Sequence, residues 1–151
     1  MLEPGTPAPD FTLKDQNNEA FTLSEKRGLQ AVLVVFYPFA FTGICTRELN
    51  AVRDDPAFFN DSVITVTVSC DTVYANKIFA ERERFEFQLL SDFWPHGAVA
   101  RAYGVFSESI GVALRGTFLV DRSGLVSFSE SNSVGQGRDP QVWRDAIATL
   151  G

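Results

Sequence analysis

Two cysteines, one histidine and one methionine are all that this 151-residue chain has of the commonest soft metal ligands. One His and two Cys cannot complete an all-Cys/His zinc site, and no Cys-x-x-Cys occurs. A secreted disulfide scaffold would need more Cys than Cys45 and Cys70. Uninterrupted apolar runs stay well short of the roughly 18 residues that a membrane-spanning helix requires. The start, Met1-Leu2-Glu3-Pro4-Gly5, has neither the basic residues nor the apolar stretch of a signal peptide. Cytoplasmic placement, with reduced thiols, is therefore the expectation. Basic residues are in deficit: 13 Lys and Arg against 19 Asp and Glu give a net charge of −6, which disfavours a nucleic-acid surface. What is present is ordinary globular composition, 45% hydrophobic with 14 Phe, enough for one core without covalent staples. The length predicts a single domain over residues 1–151.

Hydrophobic patterning sets the expected order of elements. Phe11-Thr12-Leu13 and Phe21-Thr22-Leu23 flank a polar turn and predict a hairpin. The run 31–37, apolar at every position, suits a strand covered on both faces. A β-branched run, 63–70, predicts a second. Between them Cys45, Leu49 and Val52 fall at helical spacing, ending before Pro56. A second helix is expected over Val73 to Arg84 with Tyr74, Ile78 and Phe85 on one side, then a short strand at Leu89-Leu90 and a short helix from Gly97 to Tyr103. Runs 117–120 and 125–128 flank Asp121-Arg122-Ser123-Gly124 and predict an antiparallel hairpin. The last helix follows Pro140, with Val142, Trp143, Ala146, Ile147 and Leu150 as its apolar side. This order predicts an α/β chain of thioredoxin-like fold, a mixed central sheet with helices on both faces.

One segment carries chemistry: Tyr37-Pro38-Phe39-Ala40-Phe41-Thr42-Gly43-Ile44-Cys45. A buried strand stops at Pro38 and a helix opens near Thr42. With Thr42 as N-cap, Cys45 is the third helical residue, where free amide N–H groups and the helix dipole favour thiolate over thiol. The bland alternative is a small buried hydrophobe that starts the Leu49 and Val52 stripe. A thiolate also wants a cation, and Arg47, Arg101, Arg115, Arg122 and Arg138 are the candidates near turns. Arg115 stands two residues before strand 117–120. If that strand runs antiparallel to the central pair, Arg115 reaches the edge where Cys45 lies and Arg122 falls at the opposite edge. Arg47 is expected to point away from Cys45.

Pro38-x-x-x-Thr42-x-x-Cys45 resembles the active-site pattern of the peroxiredoxins, and Arg115-Gly116-Thr117-Phe118 resembles their second signature. Ala8-Pro9-Asp10-Phe11 is similar to their usual start, and Leu90-Ser91-Asp92-Phe93-Trp94-Pro95-His96-Gly97 to the alkyl hydroperoxide reductase E (AhpE) subgroup. The resemblance covers nearly the whole chain. It implies a thioredoxin fold, a thiol-dependent peroxidase acting on hydrogen peroxide, organic hydroperoxides and peroxynitrite, and no cofactor or metal. By the same resemblance Cys45 is the peroxidatic residue, Thr42 and Arg115 bind and polarise the peroxide, Pro38 shields the sulfur and Glu48 helps to hold the arginine. It also implies a homodimer, packed through loops near the active site.

A Cys five positions after Cys45 would serve as resolving residue in some relatives, but Asn50 stands there, and no Cys follows Cys70. The expectation is a one-Cys cycle completed by an external thiol reductant, a low-molecular-weight thiol with a glutaredoxin-like or thioredoxin-like protein. Strand parity puts Cys70 with Val68, Val66 and Ile64, a packing row, so a structural role is expected. His96 is expected to serve structure or an interface. Two other classes compete. A thioredoxin-type oxidoreductase needs a second Cys at 42 or 48, where Thr and Glu stand. A redox sensor or chaperone-like module would use the same Cys45 and react about once per chain instead of turning over.

Overall fold

The computed structural model describes residues 1–150. Its centre is β3 (Ala31–Phe36), buried at every residue because neighbouring strands flank it and both of its faces are covered. Side-chain alternation splits it: Val32, Val34 and Phe36 join one hydrophobic cluster, Ala31, Leu33 and Val35 the other. β3 pairs in parallel with β4 (Val63–Ser69), which pairs in parallel with β5 (Gln88–Ser91). On the other side β8 (Arg115–Val120) runs antiparallel to β3 and forms a hairpin with β9 (Val126–Asn132). The hairpin β1 (Thr12–Lys14) and β2 (Ala20–Thr22) adds through β1 to β5, giving the order β2-β1-β5-β4-β3-β8-β9.

Helices α1 (Gly43–Arg53), α2 (Val73–Glu83) and α4 (Pro140–Ala148) contribute Cys45, Leu49, Val52, Phe79, Ala80 and Trp143 to one face. The opposite face is covered by the N-terminal arm and by α3 (Ala98–Ala102), with Ala8, Phe11, Ala100 and Tyr103 in its cluster. Helices on both faces of a mixed sheet make this the thioredoxin-like α/β fold that the pattern predicts. Among the described residues no helix is long and apolar enough to cross a membrane.

Two expectations need correction. The buried side of α2 is Asn76, Phe79 and Ala80. Tyr74 and Ile78 point outward, 82% and 55% exposed, while Phe85 is buried beyond the helix end. In α4, Trp143 is buried, but Val142 is 39% exposed and not part of the packed side. The pattern also did not reveal a small second sheet, β6 (Phe106–Ser107) with β7 (Val112–Ala113), whose strands are too short to show alternation.

The topology places the ends of β3, β4 and β5 and the start of β8 at one edge. Gly116, next to Arg115, is required there: a Cβ on it would lie 2.6 Å from Val105 Cγ1, so any side chain would push the start of β8 outward.

Candidate active site

Thr42 ends the loop after β3 in extended conformation (φ −83°, ψ 155°) and is the N-cap of α1. Its side chain caps no amide; the hydroxyl donates instead to the Phe39 carbonyl at 2.9 Å. The first bond within the turn runs from Thr46 N–H to the Thr42 carbonyl at 2.9 Å. The amides of Gly43, Ile44 and Cys45 precede it and have no side-chain cap, so they stay available to negative charge. Cys45 is the third helical residue, as the spacing predicts, and its side chain is fully buried. The bland reading holds as well, since Cys45 packs with Leu49 and Val52.

The loop that presents this turn is held from two sides. The Ala40 amide donates to Asp71 Oδ2 at 2.9 Å, tying it to the end of β4. Phe41 takes a left-handed conformation (φ 71°), which costs a residue with a Cβ roughly 1–2 kcal/mol. Its ring lies 5.1 Å from that of Phe79 and 5.4 Å from the Arg82 guanidinium, contacts that hold it there. Pro38 is buried at the start of the loop.

Arg115 opens β8 at the same edge and is 3% exposed. Its Nη1 donates to Cys45 Sγ at 3.2 Å and to Glu48 Oε1 at 2.7 Å, and its Nε donates to the Val134 carbonyl at 2.8 Å. The expected juxtaposition of Arg115 with Cys45 is therefore present. Arg122 lies at the other edge, its carbonyl accepting from Gly28 N–H at 2.9 Å.

Glu48, one turn after Cys45 on the buried side of α1, is clamped by a second arginine. Arg138 donates to it through Nε at 2.9 Å, Nη2 at 2.8 Å and its backbone amide at 2.9 Å. Its Nη1 donates to the Gly116 carbonyl and to Thr117 Oγ1, each at 3.0 Å. Burial alone would raise the Glu48 carboxyl; the hydrogen bonds and charge of Arg138 and the charge of Arg115 outweigh it and hold the group below its usual range. The carboxylate thus stays charged and fixes both guanidinium groups. Sequence reasoning did not single out Arg138 from the other arginines. The available signal was Glu48 itself, because an acid on an apolar helix stripe demands buried cations.

Tyr37, after β3, is fully buried; burial and the charge of Asp71 push its phenol up against the lowering effect of the nearby Ser69 hydroxyl, so it remains neutral. Cys70 follows β4 on the parity of Val66 and Val68, which belong to the cluster opposite that of Cys45. Burial, Asp92 and Asp71 push its thiol up to about 11. His96 Nε2 lies 2.6 Å from the Gly111 carbonyl, a structural tie as expected.

Beside Arg115 and the first turn of α1 the surface carries an open depression of about 330 Å³, lined by Phe39, Thr42, Gly43, Ile44, Arg47, Arg115 and Val134. It supplies apolar walls, a hydroxyl and two cations. An electrophile brought there would come up against Arg115, whose Nη1 donates to the Cys45 sulfur at an uncapped helix start, and charge developing on it would meet the same donors.

Comparison with known proteins agrees with this chemistry. The AhpC/TSA family matches residues 4–129. An alkyl hydroperoxide reductase E of Mycobacterium tuberculosis is 52% identical over 151 residues, covering 99% of both chains. Among solved structures, the peroxidoxin BcpB of Mycobacterium tuberculosis superposes with a TM-score of 0.85 at 32% identity, covering 99% of this chain and 97% of that one. The reduced 2-Cys peroxiredoxin of Plasmodium vivax gives 0.88 at 25% identity, covering 99% and 82%.

Proposed function

Since the chain belongs to the AhpC/TSA family and is a peroxiredoxin, an enzyme that reduces peroxides with thiols, we propose that Cys45 is its peroxidatic residue. The observation that carries this is the 3.2 Å hydrogen bond from Arg115 to a sulfur seated at an uncapped helix start. The Cys45 thiolate attacks the nearer oxygen of a peroxide, the O–O bond breaks, and the sulfur becomes a sulfenic acid. The leaving oxygen departs with the bonding pair and takes up a proton. Arg115 and the amides of the first turn of α1 meet the charge that develops on it. Thr42 binds the peroxide: with its hydrogen on the Phe39 carbonyl, its oxygen can accept from the peroxide O–H. Pro38 closes the site from beneath and limits water. Hydrogen peroxide and organic hydroperoxides, with peroxynitrite, are the substrates this site admits.

An external thiol completes the cycle, since Cys70 follows β4 on the parity of Val66 and Val68, which belong to the cluster across the sheet from that of Cys45. A low-molecular-weight thiol, assisted by a glutaredoxin-like or thioredoxin-like protein, fills that role. The whole chain acts as one cytoplasmic domain. It pairs as a homodimer through the loops after β3, β4 and β5, whose common edge exposes Phe41, Tyr74, Phe93 and Trp94 at 45%, 82%, 48% and 80%.

Trapping the sulfenic acid after one equivalent of hydrogen peroxide, followed by peptide mass spectrometry, tests the assignment. Label on Cys45 is expected; label confined to Cys70 overturns it.

A further inference from the structure

Arg47 was expected to point away from Cys45, and no step above uses it. It is exposed, and its Nη1 lies only 3.6 Å from where a Cβ on Gly43 would sit. The guanidinium is thus folded back over the first turn of α1, the positive end of the helix dipole. A cation there is in the unfavourable position relative to the helix dipole. Among the described residues no carboxylate lies within ion-pair distance of it. Neighbouring Glu48 is already committed to Arg115 and Arg138. Arg47 also borders both the depression beside Arg115 and an adjoining one of about 470 Å³ that continues past Ala51 and Pro140, with Ile44 common to the two.

We propose that Arg47 is a specificity-determining residue for the reducing half of the cycle, binding the carboxylate of an anionic low-molecular-weight thiol as it attacks the oxidised sulfur. The inference rests on the assignment of Cys45 above. In this step a thiolate R–S⁻ attacks the sulfur of Cys45–SOH, an S–S bond forms and the S–O bond breaks. The departing hydroxide takes a proton and leaves as water. A second thiolate then attacks the mixed disulfide, releasing the Cys45 thiolate and the oxidised thiol pair. The sulfenic sulfur is reduced and two thiols are oxidised.

Charge and shape favour this co-substrate. A chain of net charge −6 repels anionic thiols at long range, and Arg47 supplies an unpaired positive charge at the mouth of the site. The peroxide bond needs only Cys45, Arg115, Thr42 and the backbone, so hydrogen peroxide has no group that extends to Arg47. A thiol joined to Cys45 projects its remainder into the depression, along Ile44 and toward Arg47.

The test oxidises the reduced protein with stoichiometric hydrogen peroxide and follows loss of the sulfenic acid with 3-mercaptopropionate, 2-mercaptoethanol and cysteamine, each rate expressed per thiolate. Wild type should favour the anionic thiol over the neutral one by about two- to fivefold, the scale of one exposed ion pair. The preference should shrink with added salt. It should vanish in Arg47→Gln and invert in Arg47→Glu, while Arg122→Gln retains it. A ratio unchanged between wild type and Arg47→Glu overturns the inference. So does an Arg47 effect found instead in the oxidation step, as a changed preference between carboxylated and uncharged hydroperoxides. If no sulfenic acid forms on Cys45, the assignment of that residue fails; if one forms and thiols reduce it without charge preference, only the role of Arg47 fails.

Discussion

Nη1 of Arg115 bridges Cys45 Sγ at 3.2 Å and Glu48 Oε1 at 2.7 Å, so one guanidinium nitrogen joins the Cys45 sulfur to the carboxylate that fixes the arginine. Both acceptors sit on one side of α1, one turn apart, and the donor enters from the start of β8. The site therefore depends on the register between a helix and an antiparallel strand.

Cys45→Ser should abolish turnover and leave the fold intact, because a hydroxyl stays protonated here and is a poor nucleophile toward an O–O bond. Steady-state peroxide consumption with excess thiol checks the first part and circular dichroism the second. More than a few per cent of wild-type turnover would contradict the assignment.

Arg115→Ala should slow peroxide attack by roughly 10²–10³, about 2.7–4 kcal/mol of transition-state stabilisation. Arg122→Ala, at the opposite edge, should leave the rate unchanged. Single-turnover oxidation followed by intrinsic fluorescence measures both. Equal losses would break the link between strand direction and function.

Glu48 is 4% exposed and faces two arginines, so Glu48→Ala leaves buried positive charges unpaired and should cost about 3–5 kcal/mol of stability. Its carboxyl is held below its unfolded value of 4.5, so its contribution is present above that pH and is lost as pH falls through the lower folded value. Glu48→Gln, which keeps the shape, should therefore flatten the acid limb of the stability curve. Urea unfolding across pH 3–7 gives both results; an acid limb identical to wild type would show that Glu48 is not the titrating group.

Trp94→Arg should dissociate the proposed homodimer, because a Trp 80% exposed beside half-exposed Phe93 is the best anchor on that edge. Loss of such an anchor costs ~2 kcal/mol or more, about thirtyfold in dimer Kd. Sedimentation at several concentrations decides; an unchanged dimer would move the interface elsewhere.

The sheet was legible because β3 is apolar throughout and β8 and β9 flank a recognisable turn, and strand direction then brought Arg115 to Cys45. α2 was misjudged because two of its large apolar residues, Tyr74 and Ile78, face outward while the fully buried Asn76 shares the core side with Phe79. A hydrophobic stripe cannot reveal a buried amide. Arg138 was obscure because its partner Glu48 lies 90 positions away, and only the fold joins them. The left-handed Phe41 left no trace either, since residues with φ > 0 are usually signalled by Gly or Asn.

Cys70 decides between an external reductant and an internal disulfide. A resolving cysteine must attack as thiolate, yet burial, with Asp92 and Asp71 beside it, moves the Cys70 thiol from 9.0 up to about 11. At neutral pH almost none of it is ionised. It also follows β4 on the parity of Val66 and Val68, which pack in the cluster across the sheet from that of Cys45, and an S–S bond needs Cα atoms within about 7 Å. After one equivalent of hydrogen peroxide without added thiol, the sulfenic acid should persist on Cys45 with Cys70 unmodified, and Cys70→Ser should turn over near the wild-type rate. Alkylation of Cys70 in the native protein should stay slow until the pH approaches 11, whereas a free thiol reacts from about 8.5. The same shift has a stability sign: the buried thiol favours the fold below pH 9, and that contribution is lost as pH rises toward 11. A prompt Cys45–Cys70 disulfide peptide, or a Cys70→Ser variant that forms sulfenic acid but no longer turns over, would make Cys70 the resolving residue.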